Sequence, residues 1–218
     1  MKVLVTGVTG MVGEGVLLEC LNDPGIERAL VVNRKPCGLS HPKLTEIIHE
    51  DFFDLSPIAD RLAGLDACLF CLGVSSVGMS EEEYTRKTYD LTLNMAGLLA
   101  KNNPDMAFCY VSGAGTDGTE RGRSMWARVK GRTENDLLKL PFRAAYMFRP
   151  GYLHPTPGAA NTHRYYRLMS WIYPVLRRLL PNQVSTLREL GVAMIRAAGA
   201  GYDKPVLEVK DIVRLAGS

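Results

Sequence analysis

The segment Thr6-Gly7-Val8-Thr9-Gly10-Met11-Val12-Gly13 sets three glycines at intervals of three. An apolar run precedes them and a helical pattern follows. That spacing suits a pyrophosphate. Gly7 permits a tight turn, Gly10 lets the backbone approach the anion, and Gly13 lets the next helix pack closely on the strand. Thr9, Met11 and Val12 complete the loop, and free amides of the helix N-terminus face the phosphate charge. The context carries more weight than the pattern. Val3-Leu4-Val5 reads as a strand, and Val12, Val16, Leu17, Cys20 and Leu21 line one face of a helix that stops at Asn22-Asp23-Pro24-Gly25.

The second strand ends in Val32-Asn33-Arg34-Lys35-Pro36. A site for a free ribose 2′-hydroxyl usually presents Asp or Glu about 20 residues past the glycines. Here no acid is present and two cations stand in its place. Arg34 suits a 2′-phosphate with paired donors and Lys35 adds a point charge, which points to NADP (NADPH) over NAD. The plain alternative is a pair of solvated surface cations.

Positioning such a loop requires alternating strands and helices, hence a parallel sheet covered on both faces. Val3–Thr6, Ala29–Asn33, Thr45–His49, Ala67–Leu72, Ala107–Ser112 and Ala144–Phe148 read as buried strands. Helical patterns cover Ser56–Leu62, Glu82–Asn102 and Ser124–Leu140, with Ser80 and Glu83 as a capping-box candidate. After Arg149-Pro150-Gly151 a Pro- and Gly-rich loop, Tyr152–Thr162, leads to helical segments over His163–Leu180 and Leu187–Gly199. A strand-like run, Val206–Val209, and a short tail follow. The expected fold is α/β, a doubly wound parallel sheet (Rossmann fold) in a single domain 1–218, with 152–218 forming a small helical lid on the substrate side. His163–Leu180 mixes aromatics with four arginines, as an interfacial membrane helix or a partner surface would; composition favours a helix covering the pocket.

Composition narrows the function classes. The chain has 218 residues, 46% hydrophobic and 22% charged, which excludes disorder, collagen and coiled coil. A net charge of +3 argues against nucleic acid. No apolar stretch approaches the ~20 residues of a membrane span, and Lys2-Val3-Leu4 leaves no room for a signal peptide, so a cytoplasmic location is expected. Five cysteines in mostly apolar company point to reduced core thiols. Cys68 and Cys71 spell C-x-x-C, but inside a strand the two sulfurs diverge to opposite faces. His41, His49, His154 and His163 lack ligand spacing, and no metal is expected.

Together these residues resemble the atypical NAD(P)-binding branch of the short-chain dehydrogenase/reductase superfamily. The T-G-x-x-G-x-x-G loop carries the likeness. Glu50-Asp51-Phe52 resembles the acidic turn after the third strand, which implies Asp51 on the adenine amine with Phe52 beside it. Cys71-Leu72-Gly73 resembles the turn over the adenosine ribose. Tyr110-Val111-Ser112-Gly113-Ala114-Gly115 is similar to the strand bearing the active-site Ser, and Arg149-Pro150-Gly151-Tyr152 to the run touching the nicotinamide. Glu189–Met194 resembles the closing helix of small Tat-interacting oxidoreductases.

One departure stands out. The family's catalytic Tyr-x-x-x-Lys appears as Trp126-Ala127-Arg128-Val129-Lys130. An indole N–H donates a hydrogen bond but does not titrate usefully, so the usual acid is missing. Lys130 is implied on the nicotinamide ribose and Ser112 as a donor to a substrate carbonyl. Tyr152 and His154, just past the Arg-Pro-Gly run, are the candidates to move the proton. Three functions follow: an NADP-dependent reductase of a small carbonyl compound, a non-catalytic NADP-binding regulator with a protein partner, or, with less room for its substrate, a sugar-nucleotide epimerase. The resemblance also implies a homodimer.

Overall fold

The structure, a computed structural model, describes residues 1–155 and 173–218. Its strands are β1 (Lys2–Thr6), β2 (Arg28–Asn33), β3 (Leu44–Ile48), β4 (Ala67–Phe70), β5 (Ala107–Val111), β6 (Ala144–Arg149), β7 (Tyr152–His154), β8 (Val184–Thr186) and β9 (Val206–Glu208). Seven of them form one parallel sheet in the order β3-β2-β1-β4-β5-β6-β9, and β7 pairs with β8 in a small second sheet. The helices are α1 (Met11–Asn22), α2 (Glu81–Thr85), α3 (Leu91–Asn102), α4 (Met125–Leu137), α5 (Tyr173–Leu179), α6 (Leu187–Ala200) and α7 (Val209–Gly217).

The strands are apolar on both faces, and this decides the layering. Val3, Val5, Ala67, Leu69, Ala107 and Cys109 join a core beneath α1, α6 and α7, while Leu4, Cys68, Phe70, Phe108 and Tyr110 join the opposite core beneath α3 and α4. A sheet with no polar face needs helices on both sides. The C-x-x-C pair splits as its spacing requires: Cys68 lies in one core and Cys71 packs against the other. Burial pushes the Cys68 thiol well above its ordinary range.

Some elements depart from the sequence reading. Ser56–Leu62 is a 3-10 helix opened by Pro57. The long helix starts at Glu81 and is broken by a π turn at Arg86–Asp90. Ser80 caps it through Glu83 N at 3.2 Å, but the Glu83 carboxylate goes to Lys87 Nζ at 2.6 Å instead of returning to the cap. The C-terminal tail is a helix, α7, whose Val209, Ile212 and Leu215 are buried. Its nine residues and interspersed Lys210, Asp211 and Arg214 hide a periodicity too short to read. β7 and β8 have three residues each and gain their pairing only across the fold. Most of His163–Leu180 lies outside the described residues, as does most of the loop before it. The C-terminal segment also supplies β9 to the main sheet and α6 against α1, where Gly15 faces Leu187 and Gly191 faces Glu19.

Two glycines give opposite expectations. A Cβ on Gly13 would fall well inside contact distance of Gly7 O. Exposed Gly97, mid-α3, has no atom within 4 Å of such a Cβ. Gly13→Ala is expected to lower stability by roughly 2 kcal/mol or more, and Gly97→Ala to raise it by about 0.5–1 kcal/mol. Urea unfolding of the two variants checks both signs.

Candidate functional site

The strand order brings the carboxyl ends of β1 to β6 to one edge, with the crossover reversing between β1 and β4. In open parallel sheets that is where a ligand crevice forms. Gly7 takes φ +70°, and a Cβ there would stand 2.8 Å from Cys71 O and from Leu72 Cα. The loop is thus pressed onto the end of β4, and Thr6 Oγ1 ties the two together by accepting from Cys71 N at 3.1 Å and Leu72 N at 3.2 Å. Gly10 is different. It is the N-cap of α1, caps it with no side chain, and a Cβ there would meet only Gly7 O at 3.4 Å. The first amides of α1 are therefore uncapped and open to one side, with Thr9 and Gly10 exposed. A pyrophosphate fits that cradle.

Arg34 and Lys35 are exposed just past β2. The loop carrying them is pinned by Glu46 of β3, which accepts from Asn33 Nδ2 at 2.7 Å and Cys37 N at 2.9 Å. The Glu46 carboxylate is thus occupied in holding Asn33 and the Cys37 amide. Asp51 is exposed and caps its own turn through Phe53 N at 2.8 Å, and Phe52 is buried. Asn94 of α3 fixes that turn by donating to Phe52 O and Phe53 O, both at 3.1 Å. Leu72 and Gly73 sit beside the Gly7 turn, Gly73 exposed.

At the end of β5, Ser112 Oγ donates to Glu134 Oε1 at 2.5 Å and lies 3.1 Å from Phe148 O. Glu134, on α4, is almost wholly buried and is held by Arg149 of β6, whose Nη2 donates to its Oε2 at 2.5 Å. Arg149 also reaches Glu208 of β9 at 3.2 Å. Four residues before Glu134, Lys130 Nζ donates to Ser112 O at 2.5 Å. Burial lowers the Lys130 ammonium to about 8, against the opposing pull of Glu134. A further turn back, Trp126 lays its benzo ring 3.7–3.9 Å from where side chains would begin at Gly113 and Gly115. Trp126, Lys130 and Glu134 therefore occupy one face of α4, at i, i+4 and i+8, against the turn after β5. Ala114 N donates to Pro150 O at 2.8 Å, which lays that turn along the Arg149–Gly151 run. Gly151 admits no side chain, because Gln183 O occupies the place of its Cβ.

Tyr152 and His154 follow on β7. The Tyr152 hydroxyl and His154 Nδ1 are buried, and the His154 ring stacks on Tyr173 at 3.9 Å. Desolvation holds His154 below the usual histidine range. Sequence motifs mark Ser112, Lys130 and Arg149 singly, and none marks Glu134, the group that joins Ser112 to Arg149. A charged residue on the buried side of α4, four past Lys130, was the available signal.

Residues 3–136 match the profile of the NAD dependent epimerase/dehydratase family. The chain belongs to that family. It is 31% identical over 147 residues to leucinostatins biosynthesis cluster protein T of Purpureocillium lilacinum, a match covering 64% of this chain and 52% of that protein. Identity to protein HTATIP2 of Rattus norvegicus is 25% over 200 residues, covering 84% of this chain and 81% of that one. To the mitochondrial protein fmp52 of Emericella nidulans it is 28% over 162 residues, covering 70% and 66%. The match thus spans about half of the first relative and more of the other two. In fold the chain is similar to an oxidoreductase of the short chain dehydrogenase/reductase family from Burkholderia thailandensis, with TM-score 0.71, 15% identity, and 98% and 92% of the two chains covered. It is similar also to MoeE5 in complex with UDP-glucose and NAD, with TM-score 0.69, 16% identity, and 100% and 81% covered. The fold is that of a nucleotide-binding Rossmann domain, as the glycine loop implied. Among the described residues no helix is long and apolar enough to cross a membrane.

The depressed Lys130 value has a thermodynamic consequence. Between about pH 8 and the ordinary lysine value near 10.4, the unfolded chain holds a proton that the folded chain has released. Stability then rises with pH across that window. Relative to Lys130→Met, the native chain is expected to gain stability as pH goes from 8 to 10, measured by urea unfolding of both at each pH.

Proposed function

We propose that the chain is an NADP-dependent oxidoreductase acting on a small carbonyl compound, with an altered acid/base arrangement. The observation that carries this reading is the uncapped, open Gly10 end of α1, with exposed Arg34 and Lys35 standing past β2 where an acid would select NAD. The amides after Gly10, with Thr9, Met11, Val12 and Gly13, hold the pyrophosphate. Arg34 and Lys35 take the 2′-phosphate. Asp51, Phe52, Leu72 and Gly73 enclose the adenosine, and Pro150 and Gly151 bound the nicotinamide. Bound cofactor supplies the hydride.

The chain's own residues then have to orient the carbonyl and deliver a proton. Ser112 Oγ–H is already directed at Glu134, so Ser112 serves first to order the turn and offers its oxygen lone pairs to a ligand. Lys130 holds a proton at Nζ near neutral pH beside that turn. Tyr152 and His154 bring a phenol and an imidazole from β7, and β7 with α5 covers the substrate side.

A second reading, a cofactor-binding regulator without turnover, is supported by Trp126 packed against Gly113 and Gly115 in the position of the missing acid. Both readings require the cofactor site, and fluorescence titration tests it. NADPH is expected to bind more tightly than NADH, and Arg34→Ala to weaken NADPH by about tenfold or more while leaving NADH little changed. Equal losses would overturn the 2′-phosphate assignment.

Trp126→Tyr tests the chemistry. It is expected to create or raise NADPH-dependent reduction of small aldehydes and quinones, by an order of magnitude or more for restored acid catalysis, roughly. NADPH binding without any gain in turnover would favour the regulator.

A further inference from the structure

We propose that the outward face of α5 docks on an anionic lipid surface. The usual arrangement of a surface helix is inverted here. Arg177 points inward, where its guanidinium donates to Glu189 Oε1 at 2.5 Å and to Val184 O at 2.7 Å. Tyr173, one turn earlier on the same side, stacks on His154. The opposite side carries Val175, Arg178 and Leu179, at i, i+3 and i+4 and so on one face. Val175 is 55% exposed, Leu179 70%, and Leu180, just past the helix, 42%. A helix normally turns its aliphatic stripe to the core and its charge to water. This one is clamped so that three aliphatic side chains surround an exposed Arg178.

The charge pattern selects the occupant. In the sequence no Asp or Glu occurs between Leu137 and Arg188, and Arg177 is the cation of α5 that an acid neutralises. Arg178 has no acidic partner among the described residues, so the face presents apolar side chains with uncompensated positive charge. A second copy docked on a twofold axis here would bring the two Arg178 side chains toward each other. Three aliphatic side chains also fall far short of the roughly 800 Å² per partner that a stable interface buries. A lipid interface asks for less: a few inserted aliphatics and a cation that meets headgroup charge, each reinforcing the other.

Co-sedimentation of the full chain with vesicles tests the assignment. Binding is expected to vesicles of phosphatidylcholine mixed with phosphatidylglycerol, to be weak on phosphatidylcholine alone, and to fall as salt is raised. Leu179→Glu is expected to lower the partition coefficient about tenfold or more, and Arg178→Glu to remove the preference for the anionic mixture. Both positions are exposed, so thermal unfolding should be unchanged. Val77→Glu replaces another exposed aliphatic, 88% exposed on the loop after β4, and should bind as the native chain does. Failure of the native chain to bind the anionic vesicles overturns the proposal. So does Leu179→Glu binding like the native chain, or Val77→Glu losing as much. Equal binding to both vesicle types overturns the anionic assignment. Concentration-dependent dimerisation abolished by Leu179→Glu, without lipid binding, would assign the face to a second copy instead.

Discussion

The buried carboxylate of Glu134 ties together the parts of the molecule that form the candidate site. It accepts from Ser112 at the end of β5 and from Arg149 at the end of β6, while α4 carries it, and Arg149 continues to Glu208 on β9. Three strands and a helix thus share one ionic junction at the edge where the crevice opens. Removing one member of a buried pair typically costs about 3–5 kcal/mol, because the partner is left as an uncompensated charge. The exposed Lys139–Asp136 pair at the end of the same helix is worth far less, since solvent screens it. The junction also orders the turn that Lys130 grips through Ser112 O and that Trp126 covers.

Close approach does for the other half of the crevice what charge does for this half. Gly7 lies against the backbone of Cys71 and Leu72, and Gly13 lies against Gly7, so β1, β4 and α1 meet with no side chain between them. Thr6 supplies the polar satisfaction that such proximity demands by accepting two amides that follow β4. The same means recurs at Gly151, where the chain leaves β6 against Gln183 and so sets the course of β7. Rigid backbone contacts hold the loop, and of its three glycines Gly10 is the exposed one.

The C-terminal segment has two roles. α6 and α7 complete one of the two cores, and β9 adds the edge strand beside β6, while α5 stands outside that core with Arg177 turned inward and Arg178 turned out. Arg177 and Glu189 fasten α5 to the start of α6, whose Thr186 cap is shared with the same carboxylate. Whatever α5 meets on its outer side is therefore mechanically linked to β7 and β8, which flank the candidate site.

The doubly wound sheet, the glycine cradle and the divergence of Cys68 from Cys71 are legible in the residues alone, since each follows from a local period or a short spacing. Strand runs such as Val3–Val5 and Ala107–Val111 carry apolar residues at every position, so burial on both faces was legible without partners. The absence of an acid after β2 and the Trp at position 126 were equally plain. Where Ser112 sends its proton is fixed by the folded chain, because Glu134 and Arg149 are distant from it in sequence and meet it through strand order. The same holds for β7 and β8, three residues each, and for α7, nine residues whose apolar face shows only against α6. The outward turn of Val175 and Leu179 belongs to this second group. Their helix period is readable, but which side faces water depends on Arg177 finding Glu189 across the fold.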